Sequence, residues 1–367
     1  MLFNPFTNVI GLDIGDESVK SVRLELHRFH LRKTNIELVS CAEEKIAHGA
    51  IDTGDIAQPE EVLRAVKSAV NRAAGKHTTH WVVCALPESK TFIKILTAPI
   101  KPENLSVKNV SDFAKNELPI PFNESYIDWQ IMPHLSNQSE TKFLLGAVLK
   151  KTADAYTYLL NIAGLTPLAL EVEAMAIVRA TLHPNTAGTH LILDIGQTST
   201  TFIMVSAQTI QFTLAFNFSG NLITSRIQQA LSCTLDEAER VKITCGMDFE
   251  NCICHKQGKS EPCKIKPTMD KNMDELAGHV RDGLAFFSEH FHNTEPVESI
   301  ILSGGSGQML FFDKELSARV NLRVVRSNPL MHVQLNKTIT KDITRSYMRF
   351  NTAIGLGLRA LQFPLGT

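Results

Sequence analysis

Short apolar runs that end in polar turns occur at matching places in the two halves of the chain. The first half opens with the apolar stretch VIGLDIG, the turn DES and the alternating segment VKSVRLEL. The second half repeats this order with HLILDIG, the turn QTST, and the segments TFIMVSA and IQFTLAFNF. Alternating apolar and polar residues predict half-buried β-strands. The pattern therefore indicates an internal duplication with a period of roughly 180 residues, far too long for a solenoid repeat.

Helix signals follow each set of strands. After the first set, Pro59 precedes an apolar stripe at helical spacing and Gly75 follows it, which predicts a helix between them. After the second set, Thr234 and Glu237 have the spacing of a capping box at the start of LDEAERVKIT. Further on, the polar, proline-containing stretch GKSEPCKIKPTMDKN predicts a surface loop. The segment FNTAIGLGLRAL predicts a closing helix that returns to the first domain.

Three segments between the two copies do not fit the duplicated pattern: VVCALPESKTFIKILTAPI, VSDFAKNEL and YIDWQIM. They predict a small α+β subdomain inserted in the first half. A chain of 367 residues is also long for a single core, which favours two domains. We expect the first domain to span residues 1–181, with the insertion at about 88–168, and to be completed by 340–367. The second domain is expected at 182–339.

Composition excludes several classes of function. A formal net charge of −1 gives no electrostatic reason to expect nucleic-acid binding. No apolar run approaches the roughly 18 to 20 residues of a membrane span, and the first residues lack the regions of a signal peptide. The seven cysteines are therefore expected to be reduced thiols in the cytoplasm.

The candidate chemistry lies where the two duplicated apolar runs end, at Asp13 with Gly15 and at Asp194 with Gly196. Glycine lets backbone amides approach phosphate groups closely. Mg²⁺ prefers oxygen ligands and usually keeps several waters, which a strand-end aspartate can hold. Two such turns predict a polyphosphate gripped from both sides, with Mg²⁺ held through water by the two aspartates. A third glycine cluster follows another apolar run: Gly304, Gly305 and Gly307.

At these motifs the chain resembles the actin-like ATPase superfamily. GLDIGDESVK is similar to its first phosphate motif, LILDIGQTST to its second, and IILSGGSGQM to its adenosine motif. EVEAMAIVRA and FNTAIGLGL are similar to its two connecting helices, and the motifs follow the order of the superfamily. The resemblance implies an α/β, actin-like (ribonuclease H-like) fold of two duplicated domains, with a nucleotide cleft and a small α+β inserted subdomain.

The same resemblance implies ATP and Mg²⁺ as cofactors. Lys20 stands seven residues after Asp13, the spacing of the phosphate-contacting lysine in actin. Glu239 and Lys242 have the spacing that chaperone ATPases use around the adenosine. The implied nucleotide-binding set is Asp13, Gly15, Asp16, Ser18, Lys20, Asp194, Gly196, Gln197, Thr198, Glu239, Lys242, Gly304, Gly305 and Gly307.

Glu173 stands where the chaperone ATPases carry a glutamate near the attacking water, and it is the implied catalytic residue. The alternative is that it only interacts favourably with the dipole at the start of a helix. ATP binding is expected, slow hydrolysis is compatible with it, and nothing in the sequence predicts fast turnover.

A narrower resemblance is carried by SDFAKNELPIPFNESYIDWQI, residues 111–131, which is similar to the signature of the PilM family of type IV pilus assembly proteins, relatives of FtsA. It implies an ATP-binding cytoplasmic scaffold that is peripheral to the inner membrane through a protein partner. That partner would be the N-terminal cytoplasmic tail of the inner-membrane protein PilN, and the scaffold would link the membrane complex to the motor ATPases of the pilus machine.

The partner-binding candidates in this signature are Phe122, Asp128 and Trp129. Trp129 alternates with Ile127 and Ile131, which favours packing over ligand contact for its ring. FtsA-like proteins usually end in a basic amphipathic helix, whereas this chain ends in ALQFPLGT, and this favours the PilM family.

Two other functions remain open at this point. One is an FtsA-like, membrane-associated protein that forms filaments. The other is a small-molecule kinase of the same superfamily, which needs a carboxylate base beside the acceptor hydroxyl. Asp154 is the one aspartate between residues 150 and 193, with Glu171 and Glu173 near the connecting helix.

A cysteine-rich segment lies in the second half, and it has two interpretations. Four thiolates and an imidazole can satisfy tetrahedral zinc. The spacing, however, is C-x6-C-x-C-H-x7-C and not the paired C-x2-C of common zinc modules, so we expect variable-loop thiols without stoichiometric zinc. The residues concerned are Cys245, Cys252, Cys254, His255 and Cys263.

Overall fold

The computed structural model describes residues 8–29, 33–75, 80–132, 135–137, 139–250, 252–256, 259–262, 264–291, 295–337, 339 and 346–361. The chain forms two compact units. The first consists of Met1–Pro184, Ile210–Thr213 and Pro329–Thr367, and the second of Asn185–Thr209 and Leu214–Asn328. Apart from Ile210–Thr213, the chain leaves the first unit after Pro184 and returns to it at Pro329, eleven residues before the expected return at 340.

The described strands, in chain order, are β1 (Ile10–Ile14), β2 (Ser18–Phe29), β3 (Lys33–Lys45), β4 (Ile51–Asp52), β5 (Asp55–Ile56), β6 (Trp81–Leu86), β7 (Thr91–Ala98), β8 (Ser125–Ile131), β9 (Thr141–Leu149), β10 (Thr166–Val172), β11 (Thr189–Ile195), β12 (Thr200–Ser206), β13 (Thr209–Phe216), β14 (Ile253–Lys256), β15 (Lys259–Pro262), β16 (Val297–Ser303), β17 (Val324–Arg326) and β18 (Gln334–Leu335). The described α-helices are α1 (Pro59–Ala74), α2 (Val107–Glu117), α3 (Lys150–Ile162), α4 (Glu173–Thr181), α5 (Gly220–Leu231), α6 (Leu235–Cys245), α7 (Lys266–His290), α8 (Phe312–Val320) and α9 (Asn351–Leu361).

The core of the first unit is a six-stranded sheet with the order β10-β6-β1-β2-β3-β18. Apolar residues of β1 such as Leu12 pack on one face together with Val66 of α1. Val22 and Leu24 of β2 pack on the other face together with Ile354 of α9. Because side chains alternate between the faces of a strand, the two helix layers bury both faces of this sheet. The helix predicted between Pro59 and Gly75 is confirmed.

Helices α4 and α9 approach each other and β1 at glycine positions. A Cβ atom on Gly11 of β1 would overlap the carbonyl oxygen of Ala353, and one on Gly355 would overlap that of Ala176. The missing side chains let α9 contact both α4 and β1, the strand that leads into the first Asp-Ile-Gly turn. The closing helix predicted at FNTAIGLGLRAL is confirmed, and it lies in the first unit.

The inserted subdomain is smaller than the segment predicted for it. Strands β7, β9 and β8 are neighbours in that order, and their apolar side chains pack with Val110 and Ala114 of α2. The stretch VVCAL, however, forms β6 within the main sheet. Helix α3 also packs on the main core, through Tyr156 and Leu160. Both were assigned to the insertion because the sequence pattern does not reveal which sheet buries an apolar segment.

The second unit repeats the strand order of the first, with the neighbours β17-β16-β11-β12-β13. The predicted capping box of α6 is present, since the side chains of Thr234 and Glu237 each accept from the backbone amide of the other. The loop predicted at GKSEPCKIKPTMDKN is wrong in both halves, because β15 occupies Lys259–Pro262 and α7 begins at Lys266. Proline is tolerated in the first helical turn, where its missing N–H leaves no bond unmade.

Cys245 and Cys252 form a disulfide, with their Cα atoms 5.0 Å apart. The expectation of reduced thiols throughout is therefore wrong for this pair. The chain reverses direction after α6 at Gly246, whose φ of 52° is in the left-handed region, and this reversal brings the two cysteines together. Both are buried. The side chains of Cys254 and His255, and the whole of Cys263, lie outside the described residues.

Candidate functional site

The first Asp-Ile-Gly turn closes the hairpin between β1 and β2. The amide of Gly15 donates to the carbonyl oxygen of Ser18 at 3.1 Å. This closure places Asp13 opposite Lys20 in the strand register, with Lys20 Nζ 3.5 Å from Asp13 Oδ2. Asp16, in the turn itself, accepts a hydrogen bond from the amide of Gly54 at 3.2 Å. The turn therefore carries a carboxylate and an ammonium group that face each other.

The second Asp-Ile-Gly turn closes the hairpin between β11 and β12 in the same way. The amide of Gly196 donates to the carbonyl oxygen of Ser199 at 2.9 Å. The exposed side chains of Gln197 and Thr198 form the tip of the turn. The duplication seen in the sequence is therefore a duplication of hydrogen-bond geometry, with one glycine amide closing each turn.

The two turns differ in what stands opposite the aspartate. Thr201 is paired with Asp194, where the first copy has Lys20. The hydroxyl of Ser303, at the end of β16, donates a hydrogen bond to Asp194 Oδ1. The carboxylate of the second turn is therefore oriented by a neutral hydroxyl, and that of the first by a cation.

Burial sets the electrostatics of the first turn. Desolvation raises the pKa of Asp13, an effect that the Lys20 charge opposes and the nearby Glu43 charge reinforces. Ser18 is buried at the start of β2, and its Oγ has no hydrogen-bond partner among the described residues. A buried hydroxyl without a partner is costly, so this atom is an available donor to an anionic ligand.

A second cluster lies on helices α5 and α6. Lys242 is buried, and its Nζ donates to the carbonyl oxygen of Gly220 at 3.1 Å and lies 2.7 Å from Glu239 Oε2. The hydroxyl of Thr224 also donates to Glu239. The amide of Gly220 in turn donates to the carbonyl oxygen of Gly196 at 2.9 Å. The second phosphate turn and the predicted adenosine residues are thus joined through the first residue of α5.

The glycine-rich turn after β16 lies against the same strands. Gly304 has a φ of 79°, and a Cβ atom there would overlap the backbone of Ile195 in β11. Gly304 and Gly307 are buried, whereas Gly305 is exposed. A Cβ atom on Gly220 would overlap Ser306 Oγ, which shows how closely this turn approaches the start of α5. Glycine is required at Gly304 by its positive φ and by the close approach of the Ile195 backbone.

Glu173 is the first residue of α4 and belongs to the first unit. Its Oε1 accepts a hydrogen bond from the hydroxyl of Thr352 in α9 at 3.3 Å. The structure therefore places the catalytic candidate at the junction of the two connecting helices.

The signature residues form a third location, in the inserted subdomain. Trp129 packs edge to face on Phe143, with ring centroids 6.3 Å apart, so the packing role expected for it is confirmed. Phe122 is half-buried against the same core, with Lys115 Nζ 5.4 Å from its ring centroid. Asp128 is exposed, and its Oδ1 accepts from the amide of Trp129.

Sequence reasoning missed three residues that the structure connects to the candidate site. Ser303 and Thr224 orient carboxylates of the predicted set. Gly54 bonds to Asp16 across 38 positions of the chain. A serine directly before the glycine cluster was a usable signal for Ser303. No local pattern points to the other two, because their contacts come from distant segments.

The strand order and the paired turns define an actin-like fold. The crystal structure of MreB5 of Spiroplasma citri bound to ADP superposes with a TM-score of 0.53 at 14% identity, over 96% of this chain and 95% of that one. The family model of the type IV pilus assembly protein PilM matches residues 11–361, so the chain belongs to the PilM family.

Two further comparisons agree with this assignment. The solved structure of a PilM-PilN type IV pilus biogenesis complex superposes with a TM-score of 0.78 at 21% identity, over 98% of this chain and 100% of that one. The cell division protein FtsA of Buchnera aphidicola subsp. Acyrthosiphon pisum (strain APS) is 24% identical over 134 residues, which is 32% of this chain. That match also spans 32% of the FtsA protein, about a third of its length. Within the described part of the chain, no helix is both long and apolar enough to span a membrane.

Proposed function

We propose that this chain is an ATP-binding scaffold of type IV pilus assembly, which binds the N-terminal cytoplasmic tail of PilN. The observation that carries ATP binding is the shared closure of the two Asp-Ile-Gly turns, by the amides of Gly15 and Gly196. Because these two amides donate inside their turns, the other amides of each turn are the ones proposed to face phosphate oxygens. Membership of the PilM family supports the pilus role.

In this proposal Asp13 and Asp194 hold Mg²⁺ through its waters, and Lys20 lies against the phosphates. A bound Mg²⁺ would neutralise phosphate charge, and it needs one or two carboxylates plus phosphate and water oxygens. The residues fit this use, since Asp13 is a buried carboxylate at a strand end and the unpartnered Ser18 Oγ lies in the same turn. Asp16, Gly196, Gln197 and Thr198 complete the phosphate contacts of the two turns.

The adenosine is assigned to Glu239, Lys242 and the turn that contains Gly304, Gly305 and Gly307. Lys242 and Glu239 pair with each other beside Gly220, and Gly304 is packed against β11. Glu173 is proposed to position water, with its carboxylate oriented by Thr352. Slow hydrolysis is consistent with this arrangement.

The partner assignment rests on the family and on the solved PilM-PilN complex, which superposes on nearly the whole chain. A short tail buries little area, so tight binding needs a preformed groove with apolar pockets and backbone pairing. We assign the groove to residues 88–150, with Phe122, Asp128 and Trp129 as candidates. The partner would keep the chain at the inner membrane and link it to the motor ATPases.

Two titrations of the full-length chain test the proposal. One uses a fluorescent ATP analogue with Mg²⁺, and the other uses a labelled synthetic peptide of the N-terminal tail of PilN from the same species. Saturable binding of both at one site per chain is expected. Failure to bind the nucleotide refutes the ATP assignment, and failure to bind the peptide refutes the partner assignment.

Filament formation, the FtsA-like alternative expected from the sequence, is the second candidate. Sedimentation with and without Mg-ATP separates it from a scaffold, since filaments would pellet in a nucleotide-dependent way. The environment of Asp154, the candidate base, disfavours the kinase alternative. This carboxylate is exposed on α3 and accepts a hydrogen bond from the hydroxyl of Tyr126 at 3.0 Å.

A further inference from the structure

A short hairpin in the first unit touches the first phosphate turn and the entrance of the inserted subdomain. It consists of β4 (Ile51–Asp52) and β5 (Asp55–Ile56), joined by Thr53 and Gly54. Both joining residues have positive φ, 49° and 82°. A two-residue turn with positive φ at both positions is the tight hairpin connection that matches the twist of strands. Thr53 is β-branched and disfavours this conformation, so neighbouring contacts must hold it.

On the nucleotide side, the hairpin is bonded to the first phosphate turn. The amide of Gly54 donates to Asp16 Oδ1 at 3.2 Å. Asp16 follows Gly15, whose own amide closes that turn. The carboxylate of Asp16 and the backbone of Gly54 are therefore in direct contact.

On the other side, the hairpin is bonded to the segment that leads into the inserted subdomain. Ser89 Oγ donates to the carbonyl oxygen of Thr53 at 2.9 Å, and Lys90 Nζ lies 2.6 Å from Asp55 Oδ2. The space where a Cβ atom of Gly54 would lie is already occupied by the ring of Pro87. Residues 87–90 run straight into β7, the first strand of the insertion.

The same glycine also reaches helix α3. The hydroxyl of Tyr156, which is buried in the core, donates to the carbonyl oxygen of Gly54 at 3.2 Å. Two residues earlier on α3, Asp154 accepts from the hydroxyl of Tyr126 in β8, the strand that contains Asp128. One residue, Gly54, is therefore bonded on its amide side to the phosphate turn and on its carbonyl side to the helix that contacts the strand of the family signature.

We propose that the β4–β5 hairpin couples the nucleotide state of the first phosphate turn to the partner-binding subdomain through the two backbone bonds of Gly54. This inference rests on the proposed function, since it needs both a nucleotide and a partner. A ligand shifts an equilibrium only by its different affinity for two states, and coupling between two sites is reciprocal. The route lies wholly within the first unit.

The test measures the affinity of the PilN tail peptide with and without saturating Mg-ATP. In the wild-type protein the peptide affinities with and without Mg-ATP are expected to differ by about fivefold or more, which is the lower end of typical coupling between two sites. Tyr156→Phe removes the hydroxyl bond and keeps the buried ring, so its ratio should fall to near one while each separate affinity stays within about threefold. Tyr158→Phe is the matched control, since that hydroxyl is on the same helix and its residue is 69% exposed. The control should keep the wild-type ratio.

Hydrogen exchange gives a second readout that needs no peptide. Mg-ATP should change amide protection in residues 51–56 and 87–96 of the wild type, and in Tyr156→Phe the change beyond the hairpin should be lost. Ser89→Ala offers a further variant, since it removes a different bond from the hairpin.

The outcomes of these experiments distinguish the proposed function from the proposed coupling. A wild type that binds neither ligand refutes the proposed function, and the coupling with it. A wild type that binds both with a ratio of one refutes the coupling alone. If Tyr156→Phe and Ser89→Ala both keep the wild-type affinity ratio and the wild-type change in amide protection, the hairpin does not carry the coupling.

Discussion

Asp13 and Lys20 face each other across the first hairpin, with Lys20 Nζ 3.5 Å from Asp13 Oδ2 and side-chain exposures of 9% and 14%. The second copy has Thr201 opposite its aspartate. The duplication therefore keeps the carboxylate and the glycine closure in both units, but the strand position opposite the carboxylate is a lysine in the first turn and a threonine in the second. This asymmetry guides the predictions for the nucleotide.

Replacing either turn aspartate should weaken Mg-ATP binding. Asp13→Ala or Asp194→Ala removes a carboxylate proposed to hold the waters of Mg²⁺, and affinity should fall by at least about tenfold, about 1.4 kcal/mol. Titration with a fluorescent ATP analogue measures this. Asp236→Ala, an exposed aspartate in the first turn of α6, is the control and should leave affinity unchanged. Unchanged affinity in both turn variants would contradict the site.

Lys20→Ala should weaken binding of ATP more than binding of adenosine, because an ammonium group interacts with phosphate charge and not with the base. Comparing the two affinities by calorimetry measures the difference. The exposed Lys67→Ala on α1 controls for overall charge. An equal loss for both ligands would show that Lys20 has a structural role only.

The raised pKa of Asp13 predicts how Mg-ATP binding depends on pH. Asp13 takes up a proton at a higher pH than an unperturbed carboxyl group, and only the carboxylate holds the metal waters. Affinity should therefore fall as pH is lowered through this pKa, with proton release on binding. Titrations across pH measure this, and Asp13→Asn should lose the dependence. An identical pH profile in wild type and Asp13→Asn would contradict the assignment.

The raised pKa of Asp13 has the opposite pH effect on the stability of the nucleotide-free fold. Because the folded pKa is above the unfolded value, the stability from protonated Asp13 is fully present below the unfolded pKa. It is lost as pH rises through the folded pKa. Asp13→Asn should therefore raise the Tm at neutral pH, and the gain should shrink as pH falls. Thermal melts of both proteins across pH measure this, and a Tm gain that does not change with pH would contradict the shift.

Reduction of the Cys245–Cys252 disulfide should destabilise the second unit. The bond closes a short loop, so the loop-entropy model gives a loss of roughly 2 kcal/mol. Thermal melts with and without dithiothreitol measure this. Cys252→Ser should lower Tm to the same extent and become insensitive to the reductant, whereas Cys41→Ser, at a free cysteine, should respond as the wild type does. A wild-type Tm that does not change when the reductant is added would contradict the pairing of the two cysteines.

Asp128→Lys should abolish binding of the PilN tail while leaving nucleotide affinity within about threefold. The exposed carboxylate can be reversed in charge without disturbing the core, unlike the half-buried Phe122. Peptide titration measures this, and Asp282→Lys, at an exposed position of α7 in the second unit, is a control of equal charge change. Normal tail binding by folded Asp128→Lys would place the groove elsewhere.

Much of the candidate site follows from local sequence. The two Asp-Ile-Gly turns, the capping box of Thr234 and Glu237, and the α1 helix with its Gly75 stop are decided by residues a few positions apart. Turn chemistry, capping and periodicity act at that range, so a pattern in the chain is enough to predict them.

Contacts between distant segments were decided only by the tertiary structure. The backbone of Gly54 contacts Asp16, 38 positions away in the chain, and Tyr156, 102 positions away. Ser303 contacts Asp194 across 109 positions. The assignment of β6 and α3 to the main core depends on which sheet buries them, and the disulfide depends on a chain reversal at Gly246. An apolar stripe or a cysteine indicates which kind of residue a segment can pack against or pair with. Packing and strand order determine which of several suitable partners it contacts.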